Sequence, residues 1–260
     1  MAVRGAADVA FFQVGGYDLL GSVTNFTDKA EAVLEESHTL GDSWREQFYV
    51  NLRSAEITQE GFYDDDISGS HYALSTQVGS GRVLVYGLAG TATGADVVGY
   101  ANAIEVNYER IAARGALTKA KATYKSHGPV ETAKLLRTYK ISGATGASTG
   151  TPVDNAASTP AYTSMGVSGG GAGYFSYQST ANVEGNFRIL DSADNITYAA
   201  VITFTKTTSG GTATAPVRGA ERIVTTGAIQ RYAAVDYTTA TATGGAGISY
   251  LVALVRGLST

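Results

Sequence analysis

The sequence predicts a mainly β protein in two parts. Residues 1–140 read as one β domain with one short helix, residues 141–173 as a Gly-rich linker or long loop, and residues 174–260 as a smaller C-terminal β-sandwich domain. Three observations lead there. The 260 residues include 32 glycines and 16 tyrosines with only 16% charged side chains, a composition of strands and turns. Short segments alternate apolar and polar residues with the period of a half-buried strand. A single compositional break, "ISGATGASTGTPVDNAASTPAYTSMGVSGGGAG", is small, polar and nearly free of large apolar residues.

Taken in order, "YDLLGSVTNFT", "AEAVLEESHTL" and "REQFYVNLRSAEITQEGFY" are strands joined by turns. In the third, Phe48, Val50 and Leu52 alternate with Gln47, Tyr49 and Asn51. "AEAVLEE" has helical propensity but also alternates, and strand is the preferred reading. The helix candidate is "HYALSTQV" at 71–78, started by an Asp or Ser cap and stopped by Gly79. "RVLVYGLAG", "VVGYANAIEVNYERIAARGA" and "LTKAKATYKSHG" continue as a meander, closed or sandwiched, with Lys119 and Lys121 opposite in phase to Ala120 and Ala122. Beyond the break, "YFSYQST", "NFRILDSADNITYAAVITF", "ERIVTTGAIQRYAAVDY" and "GISYLVALVRG" have the lengths and turn spacing of a second sandwich.

Charge and composition remove several function classes. There is no cysteine, hence no disulfide and no thiolate chemistry. A net charge of −4 argues against a protein whose affinity rests on neutralising phosphates. No stretch approaches the roughly 20 apolar residues of a membrane span, and no leader pattern opens the chain, so a soluble protein made in the cytoplasm is expected. The charge is unevenly distributed. Asp28–Asp66 holds 11 acids against 3 bases, and Arg110–Lys140 holds 8 bases against 1 acid. Either these are two solvated strand faces, or one subunit's acidic surface meets its neighbour's basic one.

Catalytic and ligand motifs fail on inspection. His38, Asp42 and Ser43 have the residue types of a triad, but no nucleophile elbow presents Ser43, and "LGDSW" suits a turn. Asp64, Asp65 and Asp66 lack the spacing of a Ca²⁺ loop and read as a solvated acidic turn or a helix N-terminal cap. "DSADN" at 191–195 is better explained as a hairpin turn. His71 and His127 lie outside metal-ligand spacings, and no glycine cluster has the context of a phosphate cradle. Tyr100, Tyr108, Tyr124 and Tyr139 are spread along strands, which favours core edges or subunit contacts over a carbohydrate platform. No catalytic, cofactor-binding or metal residue is assigned, and no cofactor is expected.

The order of several short motifs resembles the major tail (tail tube) proteins of long-tailed, siphovirus-type bacteriophages. These are Gly16-Tyr17-Asp18-Leu19, Thr39-Leu40-Gly41-Asp42, Ile57-Thr58, Gly61-Phe62-Tyr63-Asp64-Asp65, the helix at 71–78 and "YKSHGPVE" at 124–131. Together they cover most of residues 14–135; "LDSADNITYAAVITF", "GAERIVTTGAIQRY" and "YLVALVR" are similar to C-terminal regions of some such proteins. The resemblance implies a tail-tube-type β-sandwich or partial barrel whose copies form stacked rings around a channel for DNA. It implies partners as well: copies of itself, tape-measure, tail-terminator and baseplate proteins, and transient non-specific DNA passage without a membrane. Its place would be the virion tail, after synthesis in the host cytoplasm. Glu31, Glu35, Glu36, Asp42, Trp44, Asp64, Asp65, Asp66, Lys119, Lys121 and Lys125 are the candidates for subunit interface or lumen. The rival readings are a capsid decoration or virion-surface adhesin that binds a host glycan, and a secreted β-sandwich hydrolase.

Overall fold

The computed structural model describes residues 9–37, 46–66, 69–87, 90–142, 146–154, 170–180, 185–205, 212, 216–239 and 247–256. The chain runs β1 (Phe11–Val14), β2 (Tyr17–Asp18), β3 (Val23–Ser37), β4 (Glu46–Phe62), α1 (Ser70–Ser75), β5 (Gly81–Gly87), β6 (Asp96–Ile111), β7 (Lys119–Ser126) and β8 (Val130–Ser142). It continues through β9 (Gly146–Thr149), β10 (Val153–Asp154), β11 (Gly171–Ser179), β12 (Gly185–Ser192), β13 (Ala199–Thr203), β14 (Val217–Thr225), β15 (Tyr232–Thr239) and β16 (Gly247–Arg256). The fold is mainly β with one short helix, as the composition predicts.

Eleven strands form one branched antiparallel sheet and five form a second. The branch lies along β6. Its first residues pair with β8, Asp96 opposite Lys134, and its last pair with β7, Ile111 opposite Lys119. The other edges of β7 and β8 then diverge, β7 taking β4 and β8 taking β16. One branch carries β7, β4 and β3, and the other carries β8, β16, β11 and β14. In the second sheet β15 and β12 are central, and β9 and β10, both within residues 141–173, pair with β15.

Three apolar clusters lie between these layers. Phe12, Val14, Ile57, Leu84, Tyr86, Tyr100, Ala122 and Tyr124 form the core of the first part, and Ala73 and Leu74 of α1 join it. Phe175, Tyr177, Phe187, Ile189, Val235, Tyr250 and Val252 fill the sandwich between β11/β16 and β12/β15. The third cluster binds the two parts: Phe11, Val85, Val97 and Leu135 meet Ala172, Tyr174, Leu251 and Ala253. Strands β11 and β16 are therefore apolar on both faces, which is why "YLVALV" shows no alternation.

Backbone proximity sets two glycine requirements. The β1–β2 hairpin turns through Gly15 and Gly16, with φ of 58° and 93°, the left-handed pair that a tight two-residue turn needs. A Cβ on Gly16 would also sit 2.6 Å from the Gly219 nitrogen, so this turn packs directly on β14. At Gly99 a Cβ would lie 2.7 Å from the Tyr174 ring, and the missing side chain admits that tyrosine between layers.

The helix is shorter than the 71–78 expected. It starts at Ser70, after Gly69 with no side-chain cap, and ends at Ser75. Beyond it the Gly79 N–H is taken by the Glu105 carbonyl at 2.8 Å, which draws the chain toward β6 instead of continuing the helix. "AEAVLEE" is strand, within β3. "DSADN" makes the β12–β13 turn, where the Asp194 carboxylate accepts the N–H groups of Thr197 (3.0 Å) and Ile196 (2.9 Å) and the Ser192 hydroxyl; these bonds hold its pKa down at about 2.

Candidate assembly interface

Strands β3 and β4 are long, at 15 and 17 residues. Their register runs from Val23 opposite Gly61 to Ser37 opposite Glu46, with a bulge between Ala32 and Leu34. Strand β7 accompanies β4 only from Glu56 to Phe62. From Glu46 to Ala55, then, β4 pairs with β3 alone, and β3 has no second strand neighbour among the described residues. At about 3.4 Å per residue, this two-stranded arm reaches roughly 25 Å past its last support on β7.

The outward face of β3–β4–β7–β6 carries cross-strand rows of polar residues. One row is Asn25, Glu60, Lys121 and Glu109, the next Thr27, Thr58, Thr123 and Asn107, and the third Lys29, Glu56 and Lys125. Lys119 bonds Glu60 at 2.6 Å, Lys125 lies 3.8 Å from Glu56, and Lys29 pairs with Glu31. The bond from Lys119 lowers the Glu60 pKa. The acidic and basic segments of the sequence are thus neighbouring strands, and Lys119 and Lys125 already have acidic partners within the chain. Lys29, Lys119, Lys121 and Lys125 balance Glu31, Glu56, Glu60 and Glu109, which leaves this face neutral. Exposed Phe62 and Ile111 flank Lys119 at its end.

The remaining sequence candidates fall in three places. Glu35 and Glu36 lie on the distal arm within β3. Asp42 and Trp44, with His38 and Ser43, lie outside the described residues. Asp64, Asp65 and Asp66 are exposed in the turn before α1; the Asp64 side chain accepts the Asp66 N–H at 3.1 Å and its carbonyl accepts the His71 N–H at 2.8 Å. His71 stacks on Tyr63 with ring centres 4.8 Å apart and shares a 2.7 Å hydrogen bond with the Tyr108 hydroxyl. Tyr100 and Tyr124 are fully buried.

Two polar networks, one joining exposed Asp28 to two buried tyrosines and one around Glu131, were not legible from the residues alone. Asp28 accepts the hydroxyls of Tyr86 and Tyr100, the latter at 2.5 Å, and burial followed by these bonds raises both phenols. Glu131 receives Arg222 through two nitrogens, at 2.8 and 2.5 Å, and the Tyr174 hydroxyl at 2.5 Å. That trio joins β8, β14 and β11 beside the third cluster. Among the described residues no group of three or more His, Cys, Asp or Glu is placed to hold a metal ion. Among the same residues no helix is long and apolar enough to cross a membrane.

No family model matches the sequence, and no curated protein matches it at a significant level. Among solved structures, the chain is similar to one from the tail of an empty gene transfer agent (GTA) particle refined with C6 symmetry. That likeness is at 14% identity and TM-score 0.38, and covers 50% of this chain and 98% of that one. A chain of the native GTA virion is similar at 13% identity over 50% of this chain and 98% of that one, TM-score 0.38. The SPP1 Dit protein, described as a paradigm of the hub adsorption apparatus in phages that infect Gram-positive hosts, is similar at 13% identity over 95% of this chain and 99% of that one, TM-score 0.32.

Proposed function

We propose that this protein is a non-enzymatic structural component of a phage virion, a tail-tube subunit that assembles with its own copies into stacked rings around a DNA channel. The observation that carries this reading is the β3–β4 arm. A two-stranded hairpin standing alone in water is marginally stable, and an open strand edge is an aggregation hazard unless something covers it. A neighbouring copy meets both requirements: head-to-tail contacts that close by rotation give a ring, and a second such surface stacks the rings.

The motif order described above agrees with this role. The neutral polar face of β3–β4–β7–β6 suits a channel lining, since a basic one would hold the passing phosphates. On this reading Glu31, Glu35, Glu36, Asp42 and Trp44 mark the arm's contacts with the next copy, and Asp64, Asp65, Asp66, Lys119, Lys121 and Lys125 mark the ends and face that orient it. Residues 1–140 supply the tube unit, 141–173 a connecting stretch, and 174–260 a sandwich in the tube wall or on its exterior. Tape-measure, tail-terminator and baseplate proteins are the further partners, and the virion tail is its location.

Electron microscopy of the purified protein tests the proposal. Hollow tubes of uniform width are expected from the full chain, and compact monomers from a variant in which Asn-Gly joins Ala32 directly to Arg53. Persistent monomers of the full chain, or tubes from the shortened variant, would overturn it. A second reading, a virion-surface adhesin for a host glycan, draws on the Tyr17–Tyr72 ring pair (centres 6.4 Å apart) and the 43% exposure of Tyr72. Glycan-array binding that is lost on Tyr72→Ala would favour it.

A further inference from the structure

A cavity of about 480 Å³ opens beside β3, lined by Leu20, Val23, Asn25, Phe26, Asp28 and Tyr86 among others. In the β3–β4 ladder Asp28 is opposite Ile57 and Phe26 is opposite Gln59, and both partners are buried. Residues directly opposite share a face, so Phe26 and Asp28 stand on the core side of β3. Among the described residues no second strand flanks β3, so that side is open here and Asp28 is exposed.

An acid turned inward on an edge strand blunts the edge against unwanted pairing. Asp28 is held more closely than that role requires. Its two carboxylate oxygens accept the hydroxyls of Tyr86 and Tyr100, one each, from buried rings. Burial, then these bonds, keeps both phenols above their ordinary pKa, so they remain donors. A carboxylate offers about four acceptor positions, and the phenols use two of them. The rest remain for a ligand in the cavity that Asp28 lines, where no other lining residue among those described carries a formal charge. Phe26 and Tyr86 pack edge to face with ring centres 5.0 Å apart and form its aromatic wall.

We propose that this cavity is an organic-cation site in which Asp28 receives a guanidinium or primary ammonium group beside the rings of Phe26 and Tyr86. The fixed carboxylate accepts charge-assisted hydrogen bonds, and aromatic rings attract a cation through their π faces. A hard metal ion fits poorly. Ca²⁺ wants about six to eight oxygens, and among the described residues no group of three or more His, Cys, Asp or Glu is placed to hold one. The cation comes either from a free small molecule or from an Arg or Lys side chain of a second copy, such as Arg114, exposed in the β6–β7 turn. The recognition chemistry is the same; only the second source rests on the self-assembly reading.

The test follows the Asn25 and Phe26 amide resonances of ¹⁵N-labelled, unassembled full-length protein during titration with methylguanidinium chloride, against sodium chloride at equal ionic strength. A saturable shift with methylguanidinium is expected. It should be at least about tenfold weaker in Asp28→Asn, and also in Thr24→Phe, which narrows the cavity from an exposed lining position and leaves the carboxylate in place. Circular dichroism checks that each variant is folded. A response no greater than that of sodium chloride, an unchanged response in folded Thr24→Phe, or tighter binding of calcium chloride overturns the proposal. Light scattering separates the two sources. Slower self-association in methylguanidinium and in Asp28→Asn identifies a second copy's side chain, whereas methylguanidinium binding with unaltered self-association identifies a free cation. The methylguanidinium response does not depend on the tube reading, so the two ideas fail separately.

Discussion

Glu105 is fully buried, and neither of its oxygens has a hydrogen-bond partner in the protein. Burial raises its pKa from the ordinary 4.5 to about 7, with Arg82 acting in the opposite direction. In the unfolded chain the same group ionises near its ordinary value. Between pH 4.5 and 7 the folded state therefore binds more protons than the unfolded one, and stability falls as pH rises through that window. At about 1.4 kcal/mol per pKa unit, the full penalty above pH 8 is ~3 kcal/mol. Glu105→Gln keeps the shape and removes the titration. Urea unfolding of unassembled wild type and variant should coincide near pH 4 and diverge to ~2–3 kcal/mol in favour of the variant at pH 8, or about 5–10 °C in Tm. A difference that does not change with pH would refute the reasoning and show Glu105 to be ionised throughout, compensated by Arg82.

Two further outcomes follow from the charge arrangement. Removing one partner of the Glu131–Arg222 pair, whose side chains are 8% and 15% exposed, should destabilise the fold by about 3–5 kcal/mol, while Glu131→Leu with Arg222→Met should recover most of the loss. Equal losses in single and double variants, measured by denaturant unfolding, would contradict this. Reversing Lys119, Lys121 and Lys125 to Glu turns the neutral β3–β4–β7–β6 face acidic; it should slow polymerisation at low salt and leave the monomer folded. Light scattering at the wild-type rate would rule out a role for that face in assembly.

Local periodicity was visible in the sequence where one strand face is solvated. In β7, Lys119 and Lys121 point outward and Ala120 and Ala122 inward, as their alternation predicts. The Asp194 turn was equally legible, because Asp and Asn bond their own backbone there. Interruptions of the ladder hid the rest. Bulges beside Arg82 and Glu105 shift the inside-outside alternation, so a glutamate amid "IEVNYE" looks solvated and is buried. Helix length was decided by Gly79 bonding to a distant strand, not by local caps. Above all, no local pattern could reveal that Val130–Ser142 pairs with Gly247–Arg256.

That last pairing orders events in time. Lys134 is opposite Leu254, about 120 positions later (254 less 134), and β16 is inserted between β8 and β11. During translation the two flanking strands must wait, unsatisfied, for a segment the ribosome has yet to release, and closing so long a loop is slow. Through that interval the vacant slot accepts any β16, including one from a chain on the same polysome. Dilution and slow synthesis should therefore favour correctly closed monomers over exchanged pairs.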